Sequence, residues 1–321
     1  MNEVADNFNK FFVNIGPELA EQIPNSIFPT EQTESYLERN MNTMFLTAVT
    51  EKEVIETVFK CANKTSTDCD DIDMFVLKKV IEGISKPLTY ISNLSFQTGT
   101  FPNKMKIAKV VPLFKTGNKH LFTNYRPVSL LPQFSKILEK LFNKRLDKFI
   151  DKHKLITESQ YGFRANRSTA LALVDSVEEI TNSIDQKQYT IGIFLDLKKA
   201  FDTINHNILI RKLELYGIRG IVLKWMKSYL SDRKQFVKMG AYCSSCLDIT
   251  CGVPQGSVLG PKLLNLYIND LCKVSESKYI LFADDTNIFF SGNNLQLLEH
   301  KINTELKKIK IWFDTNKLSL N

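Results

Sequence analysis

Residues 279–290 read Tyr-Ile-Leu-Phe-Ala-Asp-Asp-Thr-Asn-Ile-Phe-Phe, two apolar runs of strand-forming residues on either side of adjacent aspartates. The pattern predicts a β-hairpin with Asp284 and Asp285 at its tip. It constrains the fold more than any other segment, because its arms need a sheet to bury them while its tip carries two like charges. Aspartate is an ordinary turn former, and turn chemistry is one plain explanation of the pair. At about 4 Å, however, two carboxylates repel by roughly 4 kcal/mol at an effective dielectric of 20. A third acid beside them is tolerable only with cations.

A second apolar run, Ile191-Gly-Ile-Phe-Leu195, ends in Asp196 and leads through Lys198-Lys-Ala-Phe201 into a helix. An acid at the end of a buried strand can be held rigidly at the rim of a sheet. In isolation Asp196 also reads as a helix N-cap. Together, Asp196, Asp284 and Asp285 form an oxygen-only set suited to magnesium, a hard cation. Two such ions about 3.5–4 Å apart activate a 3′-hydroxyl and stabilise a leaving pyrophosphate, the chemistry of nucleotidyl transfer.

Elsewhere the chain alternates helical and strand patterns. Residues 1–48 are polar, with weak helical spacing at Phe8, Phe11, Phe12 and Ile15, then Pro24, Pro29 and a Thr/Glu/Ser run, and they read as a linker. Helices are expected from Glu51, over 75–84, and again after Pro87 with Ile91 and Leu94. Residues 108–114 and 126–131 read as a strand pair around the turn Lys115-Thr-Gly-Asn118. Helices over 134–150, 169–184, 208–216 and 222–230 and strands over 190–195 and 279–283 follow. Leu295, Leu298, Ile302, Leu306, Ile309 and Trp312 recur at three- and four-residue steps and predict an amphipathic helix. Elements alternating without a repeated unit indicate an α+β fold. A length of 321 residues with 43% apolar content can support two subdomains.

The net charge of +7 is uneven: residues 101–160 hold 13 basic and 4 acidic side chains, against 8 and 15 in residues 1–100. A basic stretch of this kind fits either a polyanionic partner or a solvated face. No apolar run approaches the roughly 20 residues of a membrane helix and no signal pattern opens the chain, so an intracellular protein is expected. Of six cysteines only Cys243 and Cys246 have metal-ligand spacing, without a second close pair or a nearby histidine. Free thiols are the expectation.

Five segments now stand in order: Asn124-Tyr-Arg-Pro-Val-Ser-Leu-Leu-Pro132, Gln160-Tyr-Gly-Phe-Arg164, Phe194-Leu-Asp-Leu-Lys-Lys-Ala-Phe-Asp202, Gly252-Val-Pro-Gln-Gly-Ser-Val-Leu-Gly-Pro261 and Phe282-Ala-Asp-Asp285. In these, residues 51–321 resemble the reverse transcriptases of retrotransposons without long terminal repeats, the LINE or jockey type. The resemblance implies right-hand polymerase fingers and palm, with an antiparallel palm sheet packed on helices. Residues 49–185 would form a helical lead-in and fingers and residues 186–321 the palm, the core starting near residue 107. It further implies an RNA template, a DNA primer and deoxynucleoside triphosphates as partners, with two Mg2+ ions, replaceable by Mn2+, and a place in cytoplasm and nucleus.

Residue by residue, Asp196 and Asp284 match the metal-binding pair and Asp285 the more loosely engaged third carboxylate. Phe201 matches the aromatic gate whose ring leaves no room for a 2′-hydroxyl, although a core aromatic would look the same. Gln255 and Gly256 match the lining of the nucleotide and template pocket; without the family they read as a Gly/Pro turn before a helix or strand at 263–268. Lys115 and Arg126 match the cations that hold the triphosphate, a role Lys119 can share or take. Arg164 and Arg167 are expected on the template backbone or in solvent. Residues 316–321 read as the opening of a strand, and the sequence stops before the family's downstream lysine and before a thumb. A truncated copy or incomplete gene is therefore expected, with a non-catalytic binding remnant and an RNA-dependent RNA polymerase as the alternatives.

Overall fold

The computed structural model describes residues 2–23 and 36–321. The first helix, α1 (Asn2–Glu21), buries Ala5, Phe8, Phe12, Ile15 and Leu19 at helical spacing. These pack on Ala108, Val110, Leu131 and Val237 as a small second core. Each such side chain taken fully from water contributes about 1.5–3 kcal/mol, so α1 is held by tertiary contact. The linker expectation is thereby corrected for residues 2–21. It is also corrected for residues 36–48, where the main-chain amides of Asn40 and Met44 donate to the carbonyls of Leu215 and Gly217. Pro24 and Pro29 lie outside the described residues.

Helix α2 (Glu51–Phe59) is capped by Thr50, whose side chain accepts from the Glu53 amide. The two helices expected around Pro87 are one, α3 (Met74–Thr98), capped by Asp73. Pro87 and Gly83, whose carbonyl it cannot serve, both face solvent, so water meets the missing bond. The expected strand pair forms as β1 (Ile107–Phe114) and β2 (Tyr125–Leu130), antiparallel with Phe114 opposite Tyr125.

After β2 come α4 (Gln133–Lys152), α5 (Thr169–Asp185), β3 (Tyr189–Leu195), a short α6 (Ala200–Thr203), α7 (His206–Leu215) and α8 (Gly220–Leu230). Then β4 (Arg233–Met239), β5 (Tyr242–Cys243) and β6 (Leu247–Ile249) join the first sheet, β4 lying parallel to β1. The ambiguous run at 263–268 is helical, within α9 (Gly260–Ile268). The second sheet is antiparallel, ordered β3-β8-β7, with β7 at Lys278–Phe282 and β8 at Asp285–Gly292. The amphipathic stripe becomes α10 (Leu295–Thr315). Residues 316–321, expected to open a strand, make one antiparallel bridge, Leu197 to Leu320.

The main core joins these layers. The Trp225 ring of α8 stacks on Phe142 of α4 at 4.0 Å between centroids. Beneath the second sheet, Asp270 accepts from Lys212 Nζ at 2.6 Å and from Trp312 Nε1 at 3.1 Å, tying α7 to α10 in the interior. Among the described residues no helix is long and apolar enough to cross a membrane.

Candidate active site

The antiparallel register sets the carboxylates. Leu195 pairs with Thr286 and Phe282 with Asp285, so Asp196, the next residue, leaves β3 beside the start of β8. The hairpin turn is Ala283-Asp284, which moves Asp285 from the expected tip into the first position of β8. Ala283 has φ of +56°, a left-handed conformation that costs a non-glycine residue about 1–2 kcal/mol. The Asp284 carboxyl sits above its ordinary range, first because it is partly buried and then because Asp285 and Asp196 add negative charge; Arg126 opposes the shift.

The strained turn is gripped from behind. Gln160 Oε1 accepts from the amides of Ala283 (3.0 Å) and Gly162 (2.7 Å), and its Nε2 donates to the Ala283 carbonyl at 3.3 Å. Gly162 lies so close that a Cβ there would stand 2.1 Å from the Ala283 nitrogen. Sequence reading noted the Gln160-Tyr-Gly segment as a motif but missed this positioning role, because its partner is some 120 residues away.

Asp196 and Asp285 are exposed. Asp196 Oδ2 accepts from Asn321 Nδ2 at 2.9 Å. Among the described residues, no three acidic, histidine or cysteine side chains converge closely enough to hold a metal ion. The carboxylates therefore share a neighbourhood without being gathered into a coordination shell. The donor set still fits a hard cation, since it is all oxygen. An open groove of about 480 Å³ runs past Asp196 and Asp285, walled by Leu173, Phe194, Phe282 and Asn287.

The loop at 252–256 is strapped to the segment after β3. Val253 N donates to the Phe201 carbonyl and Gly252 N to that of Ile204, both at 2.8 Å. Gln255 Nε2 donates to Asp202 Oδ2 at 2.9 Å, and the Gln255 carbonyl accepts from Ser129 N of β2 at 2.8 Å. Burial pushes the Asp202 carboxyl up to about 6, against the opposing pull of Gln255 and Lys199. Gly256, at φ of +122°, faces the Ser129 carbonyl. Glu139, buried in α4, accepts from the amides of Val258 (2.8 Å) and Leu259 (3.2 Å) and so anchors the far end of the loop. The Phe201 ring is partly buried against the main core, 6.2 Å edge-on from Phe163.

Lys115 and Arg126 stand at the open end of the β1–β2 pair, both exposed. Lys119 instead lies over the Phe114 ring, 5.7 Å from its centroid. Arg164 and Arg167 both pair with Glu158, and Arg167 also covers the Tyr161 ring at 4.9 Å. These two arginines are thus engaged within the protein rather than free.

Acids on a hairpin turn and on the adjoining strand end, beside an open groove and within the influence of Arg126, suit chemistry on phosphate esters. Residues 115–321 match the family model "Reverse transcriptase (RNA-dependent DNA polymerase)", and the chain belongs to that family. It is 31% identical over 300 residues to the RNA-directed DNA polymerase from mobile element jockey of Drosophila melanogaster, covering 90% of this chain and 33% of that protein. The probable RNA-directed DNA polymerases from the X-element and BS transposons of the same fly are each 30% identical, over 83% and 75% of this chain and 30% and 28% of theirs. The chain therefore spans about a third of the length of these relatives. It is a reverse transcriptase domain related to those of jockey-type elements, which lack long terminal repeats.

Proposed function

We propose that this domain extends a DNA primer with deoxynucleoside triphosphates on an RNA template. The single observation that carries the reading is the strand register that sets Asp196, at the end of β3, beside the Asp284–Asp285 turn, in a chain that belongs to the reverse transcriptase family. The sheet of β1, β2 and β4 then serves as fingers and that of β3, β8 and β7 as palm, with Asp196, Asp284 and Asp285 as the residues that would hold magnesium. When bound there, the divalent ions supply neutralisation of triphosphate charge and acidify the primer 3′-hydroxyl.

The remaining work belongs to side chains. Arg126 and Lys115 receive the triphosphate, Arg126 through a planar fork that matches phosphate oxygens. Phe201 lies under the sugar and excludes a 2′-hydroxyl. Gln255, held by Asp202, and Gly256 line the base side of the pocket. The apolar wall of Phe194 and Leu173 accepts the primer terminus beside Asp196. Arg164 and Arg167 reach the template backbone by giving up Glu158.

Primer extension tests this. Magnesium-dependent incorporation of deoxynucleotides on an RNA template is expected, and Asp284→Ala should abolish it. Extension that survives this substitution removes Asp284 from the mechanism. A preference for ribonucleotides refutes the reverse transcriptase assignment, and template binding without extension supports a non-catalytic binding domain instead.

A further inference from the structure

Three cations lie within reach of one another's charge, between the end of the β1–β2 pair and the segment after β3. Lys115 and Arg126 project from the β1–β2 pair, and Lys199 reaches it from the segment after β3, its Nζ 3.4 Å from the carbonyl of Tyr125, the residue before Arg126. Among the described residues none of the three makes a salt bridge. Lys199 is partly buried, and its one side-chain hydrogen bond is this long one. Burial depresses its ammonium, Asp202 partly offsets this, and the charges of Lys115 and Arg126 depress it further.

The backbone adds an independent observation. Lys199 lies at φ +54°, ψ +45°, in the left-handed region that glycine tolerates and lysine does not favour. Strain of this kind persists where surrounding structure imposes it, and such outliers cluster at ligand sites. A half-buried lysine in a strained conformation, beside two other cations and balanced only in part by Asp202, with which it forms no ion pair, is unfavourable unless an anion completes the group.

We propose that Lys199 is a third cation for the polyphosphate of the incoming nucleotide, closing from the palm side the grip that Lys115 and Arg126 make from the fingers side. The ligand chemistry is a chain of phosphates, as in a nucleoside triphosphate or released pyrophosphate. The assignment rests on the polymerase reading for the identity of the nucleotide, but the anion site can be read without it.

Lys199→Gly separates ligand binding from folding. Glycine takes the left-handed conformation without strain, so thermal stability should hold or rise. Equilibrium dialysis of the whole chain with inorganic tripolyphosphate, and separately with dTTP plus magnesium, should show binding weakened about ten- to a hundred-fold, the worth of a charge-assisted contact. Lys199→Arg should stay within a few-fold of the original chain. The advantage of dTTP over dTMP should shrink in the glycine variant. Unchanged tripolyphosphate affinity in Lys199→Gly overturns the proposal, as does failure of the unaltered chain to bind polyphosphate. Tripolyphosphate binding that depends on Lys199 in a chain that extends no primer upholds the anion site while the polymerase reading falls.

Discussion

Gln160 holds both main-chain polar groups of Ala283, accepting from its nitrogen at 3.0 Å and donating to its carbonyl at 3.3 Å. Ala283 is the strained residue immediately before Asp284, so the rigidity of the acid derives from an amide far away in sequence. Gln160→Ala leaves two buried main-chain amides, those of Ala283 and Gly162, without their acceptor. A stability loss of about 1–3 kcal/mol is expected in denaturant titrations. Primer extension should lose kcat with little change in nucleotide KM, because the acid moves while the nucleotide pocket stays.

Gly16 also makes a close approach. A Cβ at this position would stand 2.2 Å from the Asp202 carbonyl oxygen and 2.3 Å from Cys251 Sγ, whereas one at Gly83 of α3 meets nothing within 4 Å. Alanine is favoured over glycine by about 1 kcal/mol within a helix, so Gly83→Ala should raise the melting temperature. Gly16→Ala should lower it, because overpacking against main chain costs about 1–3 kcal/mol. Equal shifts from both variants would show that α1 does not press on Asp202.

Asp202 should leave a signature in pH-dependent stability. Its folded pKa of about 6 exceeds the unfolded carboxyl value near 4, so the folded chain binds the proton more tightly. Stability on this account rises as pH falls from about 6 towards 4, and the contribution is absent above the folded pKa. The effect is at most about 3 kcal/mol. In Asp202→Asn that slope should flatten, as read by denaturation across pH 4–7.

The buried triad of Lys212, Asp270 and Trp312 tests the interior. Asp270→Ala strands a buried ammonium and is expected to cost about 3–5 kcal/mol. Replacing both partners, Lys212→Met with Asp270→Leu, should recover most of the loss. If the double variant is as unstable as the single, the hydrogen bond to Trp312 at 3.1 Å matters more than the stranded charge.

Local patterns carried much of this molecule. The run at 279–290, the apolar strand before Asp196 and the α10 stripe declare their periods within a few residues, and each forms where expected. The five motifs placed the chain in its family. Sequence alone thus indicated β1, β2, β3, β7, β8 and most helices, left β4, β5 and β6 unassigned, and nominated the acids. It did not determine what holds them. Helix α1 looked like a linker because its stripe finds its partners only at Ala108, Val110, Leu131 and Val237. Strand β4 pairs in parallel with β1, more than 120 residues earlier, and that pairing has no local mark. The grip of Gln160 on Ala283, the pressure of Gly16 on Asp202 and the strained reach of Lys199 to Tyr125 are also long-range contacts. Periodicity reports which face of an element is apolar, whereas close approaches and charge convergence exist only once distant segments have been packed together.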